Sequence, residues 1–221
     1  FDSVIKAVPG YPWVYVYRAA LRFKGGDLEG AYEDAAKLSE LRPRSAAGYA
    51  LQGGIEAQKD RRDRALERFE RALERSRRGW VYALRGSIRT RWNDIENAHR
   101  DMDRALRAEE LPWLRLERAK ILNRKGRFGA ALKDLSEVSR RLPENPEPFL
   151  FAASIQLDQA QYGRSIESLS RAIGLRPDNP MSYRRRAHAL AVEGRIKEAQ
   201  ADLERACRLS PDPRADAFPR D

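Results

Sequence analysis

The stretch GRFGAALKDLSEVSRRLP, residues 126–143, decides the fold because its pattern returns as GRIKEAQADLERACRLSP at residues 194–211. Both segments start with glycine and arginine, carry alanine and aspartate at the same two inner positions and end with proline. In the first segment, apolar residues follow helical spacing at Leu132, Leu135 and Val138. Because self-similarity at a fixed period is typical of repeat architectures, the sequence predicts a helical repeat.

The same register extends over most of the chain. With Pro12 as place one, six repeats of 33 or 34 residues follow: 12–45, 46–78, 79–111, 112–145, 146–179 and 180–213. Place eight is always small: Ala19, Gly53, Gly86, Ala119, Ala153 and Ala187. Place twenty is also small: Ala31, Ala65, Ala98, Ala131, Ser165 and Ala199. Bulk at these places would overpack a close contact, so we expect two helices per repeat that approach each other there.

Three further features complete the pattern of the repeat. Place four is aromatic in five repeats and Arg115 in the fourth, and proline closes four of the six. Place fifteen holds a turn residue: Gly26, Asp60, Asn93, Gly126, Ala160 and Gly194. This pattern resembles the tetratricopeptide repeat. The resemblance implies an all-α fold, a right-handed superhelical solenoid of antiparallel helix pairs, and stacking is required because one repeat cannot bury its own apolar face.

The two ends of the chain lie outside the six repeats. Counted backwards in the same register, Phe1, Val4 and Pro9 fall on places twenty-four, twenty-seven and thirty-two. We therefore expect residues 1–11 to be the remnant of an upstream repeat, helical over 2–8 and packed on the first helix after Pro12. Residues 214–221 follow Pro213 and are interpreted as a tail or linker, since proline does not fit inside a helix.

Composition excludes several classes of protein. No apolar run approaches the ~20 residues of a membrane span. The one cysteine, Cys207, cannot form an intrachain disulfide, and we expect it to be a buried, inert thiol. With only two histidines, His99 and His188, a closed zinc site is not expected, and the sequence predicts no metal and no cofactor. The P-loop, GxSxG and HExxH motifs are missing, so the chain is interpreted as not an enzyme.

Arginine at place seven accompanies aspartate at place twenty-three. The four pairs are Arg18 with Asp34, Arg85 with Asp101, Arg118 with Asp134, and Arg186 with Asp202. In the second and fifth repeats both partners are replaced, by Gln52 and Arg68 and by Ala152 and Ser168. Because the partners are present or replaced together, we predict structural ion pairs between the two helices of a repeat, with bidentate geometry, and not ligand-binding arginines.

The resemblance also implies a binding face. In tetratricopeptide arrays the first helix of each repeat lines a concave groove through places two, five, nine, twelve and thirteen. Applied to this sequence, the candidate ligand-binding residues are Trp13, Phe23, Trp80, Arg91, Trp113, Leu116, Lys120, Asn123, Arg124, Arg184 and His188. The tryptophans are typical interface anchors, although packing between repeats explains them equally well. Small residues at these places in the second repeat, such as Ala50 and Gly54, leave room for a ligand.

Charge suggests the kind of partner. The chain has a net charge of +10, and the repeat 112–145 carries the largest share, +5. We therefore expect a protein partner: an acidic segment with apolar anchors, captured by an interaction scaffold. The uncovered ends of the array also leave self-association open.

Two other functions stay open at this point. One is an RNA-binding helical array, and the other is the non-catalytic, substrate-recruiting arm of a larger enzyme. Place five is apolar in five repeats, where base-edge readers need polar groups, so nucleic acid is not the expected partner.

Overall fold

The computed structural model describes residues 1–210, and within that range every regular element is an α-helix. The bounds of the helices are α1 Asp2–Ala7, α2 Pro12–Lys24, α3 Leu28–Leu41, α4 Ala46–Gln58, α5 Arg62–Arg75, α6 Gly79–Arg91, α7 Ile95–Ala108, α8 Pro112–Arg124, α9 Phe128–Arg141, α10 Glu147–Asp158, α11 Tyr162–Leu175, α12 Pro180–Val192 and α13 Ile196–Leu209. The all-α fold class expected from the sequence is confirmed.

The helices alternate between first and second helices of a repeat. Five of the six first helices begin at place one of the predicted repeat, and α10 begins one residue later because Pro146 is its N-cap. The second helices α3, α5, α7, α9, α11 and α13 are each 14 residues long. Residues 211–213, which close the sixth predicted repeat, and the predicted tail 214–221 lie outside the described residues.

The chain divides into two compact units, and the division falls inside α8, between Glu117 and Arg118. In the first unit, α2 packs on α3, α4 on α5 and α6 on α7, while α3 and α5 each contact the first helix of the next repeat. In the second unit, α10 packs on α9 and α11, and α12 packs on α11 and α13. The sequence does not predict a division inside a helix.

All six turn residues at place fifteen adopt a left-handed backbone. Their φ angles are 85° at Gly26, 54° at Asp60, 62° at Asn93, 68° at Gly126, 55° at Ala160 and 77° at Gly194. Glycine takes this conformation without strain, and aspartate and asparagine tolerate it. Ala160 has no such tolerance, so the fifth repeat keeps the turn geometry at a cost of ~1 kcal/mol.

The small residues at place eight allow two helices to touch. In the second repeat, a Cβ added at Gly53 would lie 3.0 Å from the ring of Phe69, which is fully buried on α5. In the third repeat, a Cβ added at Gly86 would lie 3.3 Å from the backbone oxygen of Ala98. The predicted close approach is therefore present, and a larger residue would force α4 or α6 away from its partner.

The first eleven residues reproduce part of a repeat. The helix α1 forms, and the Tyr15 hydroxyl donates to the Pro9 carbonyl at 2.8 Å, just as Tyr183 donates to Pro177 at 3.2 Å. Phe1 stacks on Tyr17 with ring centroids 6.4 Å apart, but Phe1 and Val4 remain exposed. The contact with α2 is therefore looser than we expect from the sequence, because α1 has only six residues. Its assignment to an upstream repeat stays a prediction.

One face of the last described helix, α13, is exposed. Cys207 is exposed on α13, not buried, so the expectation of an inert core thiol is wrong. It lies on the same face as Ile196 and Leu203, which are also exposed, because no further helix packs on this side of α13 within residues 1–210. None of the helices in these residues combines the length and apolarity of a membrane span.

Candidate functional site

The arginines at place seven form ion pairs inside each helix pair. Arg85 donates through Nε and Nη2 to the two carboxylate oxygens of Asp101 at 2.8 and 2.7 Å. The pair Arg118 with Asp134 has both distances at 2.7 Å, as does the pair Arg186 with Asp202, and Arg18 donates to Asp34 at 2.9 and 2.6 Å. All four pairs have the bidentate arrangement that the sequence indicates.

Two of these aspartates accept a hydrogen bond from a second arginine, which was not predicted from the sequence. Arg22 donates to Asp34 at 3.0 Å and Arg89 donates to Asp101 at 2.6 Å, each from place eleven of its first helix. The signal was available, because place eleven is arginine only in the first and third repeats. Burial is the largest single influence on the pKa of Arg85 and lowers it, but the hydrogen bonds and the negative charges of Asp101 and Glu70 together raise the pKa above its usual value.

The same arginines also reach the preceding helix. Arg85 bonds to Glu70 on α5, Arg18 bonds to Asp2 on α1, and Arg186 donates to the Ser170 hydroxyl on α11 at 2.9 Å. Each of these three arginines therefore joins three helices, and Arg85 and Arg186 link consecutive repeats. These contacts show the structural ion pairs that the sequence predicts.

The two repeats without an ion pair use neutral hydrogen bonds instead. Gln52 donates to the Ser39 hydroxyl at 3.2 Å, and Ser168 bonds to the side-chain amide of Gln156 at 2.8 Å. The side chains of Gln52 and Ser168, which stand where the other repeats carry the ion pair, are thus hydrogen-bonded as well.

An apolar pocket lies on the first helices of the first unit. It has a volume of about 270 Å³ and lies between α2, α4 and α6. Its lining residues are Ala19, Ala20, Phe23, Ala50, Leu51, Gly54, Ile55 and Leu84. Phe23 and Leu84 stay partly exposed at its wall, and no charged side chain lines it. This surface can bury an apolar group of a ligand.

Two adjacent glycines on α4 have opposite roles, one in helix packing and one in the pocket. Gly53 faces Phe69 and has no room for a Cβ, whereas a Cβ added at Gly54 meets nothing within 4 Å. Gly54 therefore does not serve helix packing, and the missing side chain leaves the space in which the pocket lies. The predicted face residues Phe23, Ala50 and Gly54 line the pocket. Leu51 and Leu84 line it as well, although the sequence did not assign their place, place six, to the face.

The tryptophans at place two have different surroundings. Trp80 packs against the buried core of the second repeat. Trp13 is half exposed with the Arg42 guanidinium 5.8 Å from its ring centroid, and Trp113 is also half exposed. Leu116 is only 7% exposed, so its expected contribution to an accessible face is wrong: its side chain is part of the core.

The predicted cationic residues fall in both units. In the first unit, Arg91 is exposed at the end of α6 and donates to Gln58 at 3.4 Å, and Lys24 is exposed at the end of α2. In the second unit, Lys120 lies 3.9 Å from Glu147, Arg124 is exposed, and Asn123 is half-buried with its side-chain oxygen lacking a hydrogen-bond donor. Of the expected cluster, Trp80, Arg91 and Trp113 therefore lie in the first unit, and Lys120 and Arg124 lie in the second.

A polar pocket lies on the first helices of the second unit. Its volume is about 370 Å³, and its lining residues are Ser154, Leu157, Asp158, Arg184, Arg185 and His188. The predicted face residues Arg184 and His188 both belong to it. The His188 ring meets Tyr162 edge-on with centroids 6.2 Å apart. This pocket can hold a polar or charged group, in contrast to the apolar pocket.

Comparison with known proteins agrees with this architecture. The family model described as tetratricopeptide repeat matches residues 182–213. No curated protein matches the sequence.

Solved structures share the fold over most of the chain. YrrB, described as a TPR protein with an unusual peptide-binding site, is 22% identical with a TM-score of 0.61, covering 87% of this chain and 97% of YrrB. Pseudomonas aeruginosa PilF is 17% identical with a TM-score of 0.72, covering 90% and 92%. The C-terminal part of a TPR repeat-containing protein from Cytophaga hutchinsonii is 17% identical with a TM-score of 0.74, covering 89% and 79%.

Proposed function

Because the chain is a tetratricopeptide repeat protein, we propose that it is a protein-interaction scaffold that binds a partner segment on its first helices. The observation that carries the proposal is the apolar pocket between α2, α4 and α6. It is lined by residues from three consecutive repeats, and Gly54 leaves it open without a packing reason. YrrB, which shares the fold, is described as having a peptide-binding site, and that description supports the same kind of function here.

The apolar pocket fits one side chain of the partner. Its volume suits a single leucine or phenylalanine, and its walls offer only apolar and small groups. Complete burial of such a side chain contributes about 1.5–3 kcal/mol, the largest single gain this face offers. The partner therefore carries an apolar anchor, as in interfaces where a few buried residues supply most of the affinity.

The surrounding charges favour acidic residues next to that anchor. Lys24 and Arg91 occupy place thirteen of the first and third repeats, at the ends of α2 and α6, and both are exposed. Gln58 occupies the same place between them, and no acidic residue holds this place in the first unit. Together with the net charge of +10, these cations steer an acidic segment and orient it rather than supplying most of its affinity.

The second unit carries a surface of its own for polar and charged groups of a partner. Lys120, Arg124 and Arg184 add cations on first helices of that unit, and the polar pocket at Asp158 and His188 can accept a polar group. We assign to this unit recognition of charged residues beyond the anchor. The half-exposed Trp13 and Trp113 are assigned as additional contacts of the partner.

A fluorescence-anisotropy titration with short labelled peptides tests the proposal. The probe is Glu-Glu-Leu-Glu-Glu, and the matched controls replace the leucine by alanine or the glutamates by lysines. We expect the probe to bind at least tenfold more tightly than either control, since both the anchor and its charges are recognised. Equal binding of all three peptides overturns the proposal. Tighter, salt-sensitive binding of a single-stranded RNA of similar length supports the RNA-binding alternative instead.

A further inference from the structure

The first helices end on residues of different charge. Place thirteen is the last residue of each first helix and is held by Lys24, Gln58, Arg91, Arg124, Asp158 and Val192. Three of the six are cations, which interact favourably with the negative, carbonyl end of the helix dipole. Asp158 is the one acidic residue among them, and a negative charge at the end of α10 destabilises that helix. The preference of its own helix therefore does not explain Asp158.

No polar contact within the described residues compensates for this placement. Asp158 is exposed, and within residues 1–210 no hydrogen bond or ion pair joins its carboxylate to another side chain. Glu147 in the first turn of the same helix is different, because an acidic residue is favourable there and Lys120 lies 3.9 Å away. A residue that breaks a local preference without a structural gain is typical of a functional position.

A second departure from the repeat lies in the same pocket. Place five is apolar in five first helices, and α12 carries Arg184 there. Arg184 lines the polar pocket together with Asp158, Arg185, His188 and Ser154. Apart from Arg184, none of these side chains forms a hydrogen bond or an ion pair within the described part of the chain. The pocket therefore combines two arginines with one aspartate that has no partner.

The pocket also has an apolar wall. Leu157 lines it and packs, together with Tyr162, against the buried cluster that includes Ile166 and Leu190. A long basic side chain can use such a wall, since its methylene stem packs on apolar surface while its charged head stays near water. Asp158 directly follows Leu157, so a stem on Leu157 can bring its head to the Asp158 carboxylate.

Ligands of a single charge fit this pocket less well than a ligand that carries both charges. Arg184 and Arg185 attract an anion, but Asp158 repels it, and repulsion is strongest for a phosphoryl group with its nearly two negative charges. A ligand that is only basic is attracted by Asp158 and repelled by the two arginines. A basic group beside an acidic one gives each of these charges an opposite partner.

We propose that the polar pocket recognises a basic side chain and a neighbouring acidic side chain of the partner segment. The basic residue, an arginine or a lysine, pairs with Asp158 and packs its stem on Leu157. The acidic residue pairs with Arg184 or Arg185, where an arginine can hold a carboxylate through two hydrogen bonds. The assignment rests on the proposed scaffold function, and it specifies which residues of a partner the second unit selects.

A fluorescence-anisotropy titration with the labelled peptide Gly-Glu-Arg-Glu-Gly tests the proposal. The arginine stands between two glutamates, so the peptide presents the pair in either direction. The matched controls are Gly-Glu-Glu-Glu-Gly, which lacks the basic residue, and Gly-Gln-Arg-Gln-Gly, which lacks the acidic ones. We expect the probe to bind about tenfold more tightly than each control, because each loses one charged hydrogen bond. Binding of either control as tight as that of the probe overturns the proposal.

Charge reversal of Asp158 makes the test specific to the pocket. Asp158→Lys should weaken binding of Gly-Glu-Arg-Glu-Gly about tenfold and strengthen binding of Gly-Glu-Glu-Glu-Gly, since the pocket then lacks its negative group. Glu167→Lys is the matched control, because it changes the net charge equally at an exposed position of α11 outside the pocket. It should keep the preference of the unmodified chain. The same change of preference in both variants would mean that net charge decides binding and would overturn the proposal.

Thermal unfolding separates recognition from a structural role of Asp158. Asp158→Lys should unfold at the same or a higher temperature than the unmodified chain, because lysine suits the end of α10 better than aspartate. Circular dichroism measures the transition. A clear fall in the unfolding temperature would show that Asp158 stabilises the fold and would contradict its assignment to the ligand.

The anchor peptide Glu-Glu-Leu-Glu-Glu distinguishes failure of this assignment from failure of the scaffold function. It should bind Asp158→Lys and Glu167→Lys equally, because the apolar pocket lies in the first unit. If the anchor peptide binds and Gly-Glu-Arg-Glu-Gly shows no preference over its controls, the assignment of the polar pocket is wrong and the scaffold function stands. If neither peptide binds, both are wrong.

Discussion

The pockets on the first helices of the two units differ in chemistry although they are built from equivalent places. In the first unit, place nine contributes Ala20 and Gly54 and place twelve contributes Phe23, and the pocket is apolar. In the second unit, place nine contributes Ser154 and His188, and the pocket also includes charged residues. The repeat constrains places that pack between helices, so the places that face outward are free to differ. Differences in recognition between the units therefore arise without a change of fold.

The buried ion pairs show a second difference. In the first unit, Asp101 is fully buried and accepts both Arg85 and Arg89. In the second unit, Asp202 pairs with Arg186, whose side chain is 21% exposed, and leucine stands at place eleven instead of a second arginine. The pair at Asp101 is thus buried more deeply than the pair at Asp202, and it depends more strongly on each partner being present.

The largest expected effect tests this difference in burial. Asp101→Ala removes the buried carboxylate that Arg85 and Arg89 share and leaves Arg85 only its bond to the exposed Glu70, and we expect it to lower the free energy of unfolding by about 3–5 kcal/mol. Asp202→Ala should cost about 1.5–3 kcal/mol, because Arg186 can reach water. Urea unfolding followed by circular dichroism measures both. Equal losses would mean that the two joints do not differ. If Asp101→Ala does not fold, Asp101→Asn provides the comparison.

The next effect concerns the apolar pocket. Gly54→Leu fills the space that a partner's anchor would occupy, and we expect it to weaken binding of Glu-Glu-Leu-Glu-Glu at least tenfold, or about 1.4 kcal/mol. Ser154→Leu is the matched variant in the second unit, since it changes the equivalent place nine. It should leave binding of this peptide unchanged.

Gly54→Ala separates occupation of the pocket from effects on α4. The added methyl group has free space and improves helix propensity, so the protein should be stabilised by about 0.5–1 kcal/mol. Peptide binding should fall much less than in Gly54→Leu. Undiminished binding to Gly54→Leu would place the anchor elsewhere.

Charge reversal distinguishes the contributions of the two units. The double variant Lys24→Glu, Arg91→Glu should weaken binding of Glu-Glu-Leu-Glu-Glu by about tenfold, if one charged hydrogen bond contributes about 1.5 kcal/mol. The double variant Lys120→Glu, Arg124→Glu should leave binding of this peptide unchanged. It should weaken binding of a longer acidic peptide by about tenfold. Titrations at low and high salt provide the control, because screening should reduce both differences. A loss of helicity in either variant would point to a structural role.

The smallest effect concerns a turn in the second unit. Ala160→Gly removes a left-handed alanine, and we expect the free energy of unfolding to rise by about 1 kcal/mol. Gly126→Ala, at the equivalent turn, should lower it by a similar amount. Thermal or urea unfolding measures both changes, and a neutral Ala160→Gly would show that the turn relaxes without strain.

The repeat pattern by itself determined the architecture. The period, the small residues at places eight and twenty and the turn residues at place fifteen predict the helix pairs and their starting points. The Arg–Asp pairs were also predictable, because both partners change together between repeats. These features depend on helix geometry and on contacts that recur in each repeat. The sequence of one repeat therefore helps to predict the structure of the others.

Only the tertiary structure decided which side chains are accessible. Leu116 is buried and Cys207 is exposed, although their places in the repeat suggested the opposite. The apolar pocket depends on Leu84 of α6, which lies four helices along the chain from Phe23 of α2. The second arginine on Asp101 depends on how α6 packs against α7. Burial is a property of packed neighbours and not of the local period, so these features required the three-dimensional arrangement.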